Sequence, residues 1–289
     1  ITILHLLCHR SGWSGRKIDP VIYPQFVAQE KNLNLPLSLN DAIIYQLSKP
    51  LSYNPGTVYS YSNFGYALLT KIIEKVTGMS YETYIQKEIL EPLGIFDMHI
   101  GNSYFKDKFP NEVKYYSNEQ VITRLSYDGT ATVPVFDGGY DLKLLGGAGG
   151  WIASAPELLK LITAIDGFPE KPDILKEESI KLMTASTDSV NSYIGWRNGN
   201  EEGTWWRTGT LSGSIALVVR RPDNICYVVL MNTSVYTKHN IHNLIANYIH
   251  NSINLVQGWP EYDLFKINDV KNFIASTGDS ISNKNYSYR

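Results

Sequence analysis

Two short segments carry residue types suited to proton transfer and anion binding, and the first is Tyr61-Ser62-Asn63. In extended backbone, side chains two residues apart point the same way, so Tyr61 and Asn63 can act on one ligand. A phenol with an ordinary pKa of about 10 works as a base near neutrality only beside a cation. On spacing alone a structural role is more common, in which Ser62 or Asn63 caps a helix and Tyr61 packs.

The second segment is Arg207-Thr208-Gly209-Thr210, on a predicted edge strand that turns at Gly209. A guanidinium can hold a carboxylate through two parallel hydrogen bonds, and a glycine lets a substrate backbone lie close to the strand. The N–H of Thr210 is a candidate oxyanion donor. Taken alone, the segment is better explained as a surface arginine before a glycine turn.

The hydrophobic pattern predicts the helices that must position these segments. Apolar residues recur with helical spacing from Phe64 to Val76, and Gly78 is expected to end this helix. Thr2 and Gly12 are expected to cap the two ends of a short opening helix. Further helices are predicted over residues 39–48, 80–91, 154–165 and 241–249.

Strands are predicted in the C-terminal third. They span residues 204–208, 214–221 and 225–232, with a hairpin turn at 222–224. Residues 13–36 are expected to be loop-like, and residues 101–145 to form an irregular insertion with short strands. Helices that precede strands, without regular alternation, indicate an α+β fold rather than a doubly wound sheet.

Composition excludes several classes of function. The chain has 26 basic and 28 acidic residues among 289, and no basic stripe suited to nucleic acid. No apolar run is long enough for a membrane span. Two cysteines do not form a disulfide framework, and the histidines form no convincing metal site, so no metal and no cofactor are expected.

The two motifs, together with several other segments and in their order along the chain, resemble the serine β-lactamase and penicillin-binding-protein-like family. This group includes class C β-lactamases, D-Ala-D-Ala carboxypeptidases, D-aminopeptidases and esterases. The resemblance extends from Ile1 to about Phe265 and depends on several motifs in sequence. The matching segments are residues 1–12, 55–56, 61–66, 91–94, 148–154, 193–196, 207–209, 259–260 and 263–265.

The resemblance implies an antiparallel sheet flanked by helices and a mostly helical lobe, with the N-terminal part of the fold missing. It implies a β-lactamase-like domain over residues 1–265 and a polar tail over 266–289. It also implies that Tyr61 shuttles a proton, Asn63 binds the substrate amide, and Arg207 binds a carboxylate or tunes Tyr61. Thr208, Gly209 and Thr210 would line the cleft, with the Thr210 N–H as half of the oxyanion hole.

The family's nucleophile is the serine of a Ser-x-x-Lys motif that opens a buried helix. Two segments have serine and lysine at this spacing, Ser14-Gly15-Arg16-Lys17 and Ser103-Tyr104-Phe105-Lys106. Neither can open a buried helix, because each is followed by polar residues and a proline. The motif is therefore expected upstream of Ile1. Arg207 also stands where lysine or histidine is usual, and it cannot act as a base because it stays protonated.

These features lead to two functional hypotheses. The first is a serine hydrolase that acts by acyl transfer on an amide, peptide or ester and is inactive without the nucleophile segment. The alternative is a non-catalytic protein that binds a cell-wall peptide or another ligand. The expected partner is a small-molecule or peptide substrate, and the resemblance implies a periplasmic or extracellular location.

Overall fold

The computed structural model describes residues 1–14, 18–117, 121–185, 193–198, 203–235, 241–259, 263, 265 and 266. The chain divides into two compact units, Ile1–His239 and Asn240–Arg289. The division into a domain over 1–265 and a tail over 266–289 stays a prediction, because nearly all of that tail lies outside the described residues. Within the described ranges, no helix combines the length and apolar character needed to cross a membrane.

The first unit contains most of the helices. They are α1 (Ile3–Leu7), α2 (Pro24–Lys31), α3 (Leu39–Leu47), α4 (Asn63–Thr77), α5 (Tyr81–Ile85), α6 (Leu142–Leu145), α7 (Ala155–Thr163) and α8 (Glu177–Thr184). In the second unit, the described residues include α9 (Ile241–Asn254). Serine side chains cap α3, α4, α5 and α7, as hydroxyl acceptors for backbone N–H groups three residues ahead.

The strands belong to one larger sheet and several short pairs. They are β1 (His99–Ile100), β2 (Tyr116–Ser117), β3 (Thr123–Leu125), β4 (Thr132–Pro134), β5 (Trp151–Ile152), β6 (Arg197–Asn198), β7 (Trp205–Leu211), β8 (Ser214–Arg220), β9 (Cys226–Met231) and β10 (Thr233–Ser234). The larger sheet has the antiparallel order β6-β7-β8-β9. This architecture confirms the predicted α+β class, and the described residues between 101 and 141 form only short elements.

The core of the helical layer is centred on α4. Phe64 and Ala67 on this helix are fully buried and pack with Leu145 and Trp13. The rings of Trp13 and Phe64 meet edge to face with centroids 4.8 Å apart. Burial of each large apolar side chain contributes on the order of 1.5–3 kcal/mol to folding, so this cluster holds the N-terminus of α4 in place.

The sheet has a separate core beneath α7. Ile162 on α7 packs with Trp196 and with Val218 on β8. Leu217, Val218 and Val219 of β8 are buried in succession, and neighbouring side chains point to opposite faces, so both faces of this central strand are covered. The central position of β8, between β7 and β9, fixes the register of β7 over its whole length.

The loop-like character expected for residues 13–36 is wrong in part, because α2 occupies Pro24–Lys31. Pro24 stands at the first helical position, where its missing N–H is not needed and its fixed φ suits a helix. The proline therefore begins this helix rather than breaking it. Asn32 ends α2 in the left-handed conformation, and Val27 and Ala28 are buried.

Two predictions about individual residues of the helical layer are also wrong. Gly12 has a left-handed φ of +98° but lies beyond the end of α1, where its carbonyl accepts two backbone N–H bonds from 52–53. Val76 was assigned to the apolar face of α4, yet it is 79% exposed. Leu68, Ile72 and Val76 form one i, i+4 row at the edge of that face, and burial declines along it.

Candidate active site

One cavity of about 560 Å³ lies between the N-terminus of α4 and strand β7. Its volume is typical of small-molecule sites, which span roughly 300–1,000 Å³. The cavity brings together all six site residues proposed from the sequence. They are Tyr61, Asn63, Arg207, Thr208, Gly209 and Thr210.

Tyr61 and Asn63 reach the cavity from the turn that opens α4. Ser62 between them is buried, and its Oγ accepts the Gly65 N–H at 3.1 Å. The capping role weighed as the structural alternative therefore belongs to Ser62, while its two neighbours line the cavity. A helix cap at Ser62 thus sets the position of both candidate side chains.

Asp19 is a second anchor of this turn that sequence reasoning did not identify. Its Oδ2 accepts the backbone N–H groups of Asn63 and Phe64 at 3.0 and 3.1 Å, and its Oδ1 accepts that of Val21. A carboxylate at a helix N-terminus also interacts favourably with the helix dipole. Burial nevertheless raises the pKa of Asp19, and the backbone N–H bonds oppose this effect.

His9 is a third anchor, and its backbone is as unusual as its surroundings. It follows the C-cap of α1 with a left-handed φ of +53°. Its N–H donates to the Leu6 carbonyl at 3.1 Å, and the Arg10 N–H donates to the His5 carbonyl at 2.7 Å. These two bonds form a Schellman motif, in which glycine is the usual left-handed residue. A histidine here accepts a backbone strain of about 1–2 kcal/mol, which suggests that its side chain is needed.

The His9 imidazole is buried among three tyrosine rings. Its centroid lies 4.4 Å from that of Tyr61 and 4.8 Å from that of Tyr66, and Tyr59 meets it edge-on at 5.8 Å. Nδ1 accepts the Ser62 N–H at 3.3 Å, which assigns the neutral ring's proton to Nε2. Nε2 is buried and has no hydrogen-bond partner among the described residues.

Burial lowers the pKa of His9 to about 3, and the nearby charges of Arg207 and Arg197 act in the same direction. The ring is therefore neutral near pH 7 and cannot serve there as a cationic acid. The His9 ring instead packs against the Tyr61 ring and supports it from outside the cavity lining. The sequence did not single out His9 as a site residue, and the signal that could have done so is its place in the 1–12 segment of the family resemblance.

The two cavity tyrosines have different environments. Burial raises the pKa of Tyr66 to about 12, and its hydroxyl donates to the Leu7 carbonyl at 2.8 Å. Tyr61 is 40% exposed. The guanidinium carbon of Arg207 lies 5.6 Å from the Tyr61 ring centroid. Of the two phenols, Tyr61 is therefore the one placed to exchange a proton with a ligand.

The opposite wall is strand β7. The turn predicted at Gly209 is wrong, because β7 continues through Gly209 to Leu211 and turns at 212–213. Gly209 pairs with Ala216 and Thr210 with Ile215 on β8, so the strand partner sets their register. The described residues of β6 pair only with Trp205 and Trp206, which leaves the 207–211 stretch lining the cavity.

A second arginine, Arg197, also lines the cavity and was not identified from the sequence. It lies at the start of β6, with its guanidinium 5.3 Å from the Trp206 ring centroid. No carboxylate occurs among the described lining residues. Two guanidinium groups without a nearby acid create a positive potential that favours an anionic ligand.

Other nucleophile candidates lie elsewhere or are occupied. Ser103 does not line this cavity, and its Oγ accepts the Leu142 N–H at 3.2 Å. Of the Ser14 match, residues 15–17 lie outside the described residues. Burial raises the pKa of Cys226 to about 12, which keeps its thiol protonated. Among the described residues, no group of three or more His, Cys, Asp or Glu is arranged to hold a metal ion.

Comparison with known proteins places this site in a family. The beta-lactamase family model matches residues 1–247. The chain belongs to the beta-lactamase family. Protein flp of Staphylococcus aureus strain MRSA252 is 27% identical over 237 residues, which cover 80% of this chain and 43% of that protein. The chain therefore spans less than half the length of this curated relative.

Solved structures share the fold. The octameric penicillin-binding protein homologue from Pyrococcus abyssi is 26% identical with a TM-score of 0.60, over 81% of this chain and 52% of that one. D-amino acid amidase from Ochrobactrum anthropi SV3, complexed with D-phenylalanine, has 17% identity and a TM-score of 0.62, over 88% and 72%. At that identity the second likeness concerns the fold alone, and it agrees with the β-lactamase and penicillin-binding-protein architecture.

Proposed function

We propose that this chain forms the proton-transfer and substrate-binding part of a serine acyl-transfer hydrolase. The substrate is an amide, peptide or ester that carries a carboxylate. The observation that supports this proposal is the meeting of Tyr61, Asn63 and Arg207 at one cavity in a member of the beta-lactamase family. The nucleophile comes from a Ser-x-x-Lys segment that the described cavity does not include.

In this mechanism the serine oxygen forms a bond to the substrate carbonyl carbon, and the serine proton passes to the adjacent lysine. Tyr61 delivers a proton to the leaving nitrogen or oxygen as its bond to the carbonyl carbon breaks. Water then attacks the acyl-enzyme carbonyl and gives a proton to the Tyr61 phenolate. As the bond from the carbonyl carbon to the serine oxygen breaks, the protonated lysine returns its proton to that oxygen, which releases the acid and the free serine. The Arg207 guanidinium lies 5.6 Å from the Tyr61 ring centroid, so both groups can act on one ligand in the cavity.

Asn63 and Arg207 position the substrate rather than take protons. The Asn63 amide can both donate to and accept from a substrate amide. Arg207 stays charged at any usable pH, so it binds the carboxylate and cannot act as a base. Arg197 adds a second positive charge at the same cavity.

The test is covalent labelling with a fluorescent penicillin and a fluorophosphonate. Residues 1–289 and the complete product of the gene are treated in parallel, and labelled peptides are mapped by mass spectrometry. We expect label on the complete product, at the serine of a Ser-x-x-Lys motif, and none on residues 1–289. Label at Ser14 or Ser103 would overturn the assignment of the nucleophile, and resistance of the complete product to both probes would overturn the hydrolase.

A second candidate function is ligand binding without turnover, and the two arginines at the cavity favour it. Both functions require an anion at Arg207, so calorimetry with acetylated peptides that end in a free carboxylate is informative in either case. Binding together with resistance to every acylating probe would favour the non-catalytic protein. An acyl-enzyme detected by intact mass would exclude it.

A further inference from the structure

A second, smaller cavity opens directly beside the candidate active site. Its volume is about 90 Å³. Gly149, Trp151, Leu211 and Ser214 line both cavities, so the two are directly adjacent. We refer to the smaller cavity as the annex. An added Cβ at Gly149 would meet nothing within 4 Å, so this glycine leaves the junction open.

The outer wall of the annex comes from the irregular segment over residues 101–145. Tyr115 and Phe136 pack against the turn between β7 and β8, where a Cβ on Gly213 would lie 2.9 Å and 3.1 Å from their Cβ atoms. The Gly213 N–H also donates to the buried Ser234 Oγ at 2.8 Å. This close packing on a hydrogen-bonded turn makes the annex a preformed part of the fold.

The surface of the annex is mainly apolar and aromatic. The Tyr115 hydroxyl donates to Glu112 at 3.0 Å, and Lys108 pairs with the same carboxylate at 2.6 Å. The Ser103 hydroxyl already accepts the Leu142 N–H. None of the described residues that line the annex is charged, in contrast to the two arginines of the adjoining cavity.

The size of the annex limits what it can hold. A water molecule occupies roughly 30 Å³ in the liquid, so the annex has room for about three waters. An isopropyl or isobutyl group has a similar number of heavy atoms, whereas an indole has about three times as many. A hydrophobic pocket of this kind selects by size, and one methylene changes binding by roughly 10-fold or more.

The position of the annex relative to Arg207 defines the ligand further. Leu211 lines the annex and lies four residues beyond Arg207 on β7. At roughly 3.3 Å per residue, the two positions are about 13 Å apart along the strand. The long Arg207 side chain can bridge part of this distance, and the remainder assigns a group in the annex and a carboxylate at Arg207 to different residues of an extended ligand.

We propose that the annex binds a compact, branched aliphatic side chain of a peptide-like substrate, one or two residues before its C-terminal carboxylate. The carboxylate part rests on the proposed function, because it requires Arg207 to bind the substrate anion. The assignment of the ligand side chain depends only on the size and surface of the annex. Specificity of the site then arises from Tyr115, Phe136, Trp151 and Leu211.

The test measures binding to residues 1–289, so it does not depend on the nucleophile. The ligands are acetyl-X-Gly and acetyl-X-Gly-Gly, in which X is glycine, alanine, valine, leucine or tryptophan in each enantiomer. Calorimetry should show valine or leucine binding at least about 10-fold more tightly than glycine, and tryptophan no better than glycine.

Two variants change the annex in opposite directions. Phe136→Ala enlarges it and should improve the tryptophan ligands about 10-fold without changing the glycine ligands. Ser212→Phe, at a position that lines only the annex, should reduce valine and leucine ligands to the glycine level. Phe96→Ala, which removes an aromatic ring that is 69% exposed, is the matched control and should change none of these affinities.

Different variants test the annex proposal and the proposed function, so the failure of one can be distinguished from the failure of the other. If Phe136→Ala and Ser212→Phe alter the glycine ligands as much as the valine ligands, the annex does not hold the side chain. If Arg207→Gln leaves all affinities unchanged, the carboxylate assignment fails instead. Xenon under pressure in a crystal tests the annex without any peptide: bound xenon supports the apolar cavity, and no xenon together with no side-chain preference overturns the proposal.

Discussion

The two walls of the candidate site are held in place by different kinds of interaction. The helix-side wall, Tyr61 and Asn63, depends on Ser62, Asp19 and His9, which bind its backbone or support its ring. The strand-side wall, residues 207–210, depends on pairing with β8. A change at a single buried anchor can therefore displace the first wall, whereas the second keeps its position when one side chain is replaced.

This difference separates stability from ligand binding. Anchors of the helix-side wall are buried or half-buried polar groups, and a buried group that loses its partner costs about 1–3 kcal/mol. The side chains of the strand-side wall line the cavity, and their backbone is fixed by the register of β7 on β8. We expect substitutions on the strand side to change affinity alone and substitutions on the helix side to change both quantities.

The largest expected effect is on ligand affinity at the strand-side wall. Arg207→Gln should weaken binding of carboxylate-bearing peptides about 10- to 150-fold, because a hydrogen bond to a charged group contributes about 1.5–3 kcal/mol. Arg207→Lys should recover part of the loss, since it restores the charge but not the two parallel bonds. Calorimetry measures the affinities, with Lys75→Gln on the exposed side of α4 as control. A melting temperature lowered as much as in the helix-side variants would contradict the proposed separation.

The next effect is on stability at the helix-side wall. Asp19→Ala leaves the Asn63 and Phe64 N–H groups without their acceptor and should lower the free energy of unfolding by about 1–3 kcal/mol. It should also weaken peptide binding, because the turn that carries Tyr61 and Asn63 loses an anchor. Urea denaturation and calorimetry measure the two quantities.

A matched control for this variant is Asp41→Ala. Asp41 closes the capping box of α3, and it does not line the cavity. We expect this variant to lose stability while it retains full ligand affinity. Equal losses of affinity in both variants would show that Asp19 has no specific influence on the site.

His9 is expected to make the free energy of unfolding depend on pH, with a smaller change per pH unit than the two preceding effects. Its folded pKa of about 3 lies below the unfolded value of 6.5. Between these values the unfolded chain binds the extra proton, so stability should fall as the pH is lowered, by at most about 1.4 kcal/mol per unit. His9→Asn keeps a residue that tolerates the left-handed conformation and should flatten this dependence. Urea denaturation from pH 7 to pH 4 tests it, with His5→Gln as control, and an unchanged slope in His9→Asn would rule out His9 as the source.

The smallest effect is expected at Arg197. This residue is exposed, so its attraction for a ligand carboxylate is weakened by water and salt. Arg197→Gln should reduce peptide affinity only about two- to fivefold, within the range of exposed ion pairs. The loss should disappear near 1 M salt, whereas the loss in Arg207→Gln should persist in part. A salt-independent loss at Arg197 would show that both arginines bind the carboxylate directly.

Local rules in the sequence predicted much of the scaffold. Ser62 and Gly78 limit α4, Thr2 caps α1, and Ser154 caps α7, because each requires only its neighbours in the chain. The three long strands were also predicted to within a few residues. The prediction of a loop over residues 13–36 was wrong at α2, because Pro24 begins this helix instead of preventing it.

For the candidate site, the sequence by itself determined the residue types and the motif order that led to Tyr61, Asn63 and residues 207–210. Only the tertiary structure decided that these segments share one cavity, that Arg197 also lines it, and that Asp19 and His9 anchor its helix-side wall. Asp19 lies 44 positions from Asn63 and His9 lies 53 from Ser62. Contacts over such distances leave no periodic or local signal in the sequence, because they form only when α1, α4 and β7 have packed together.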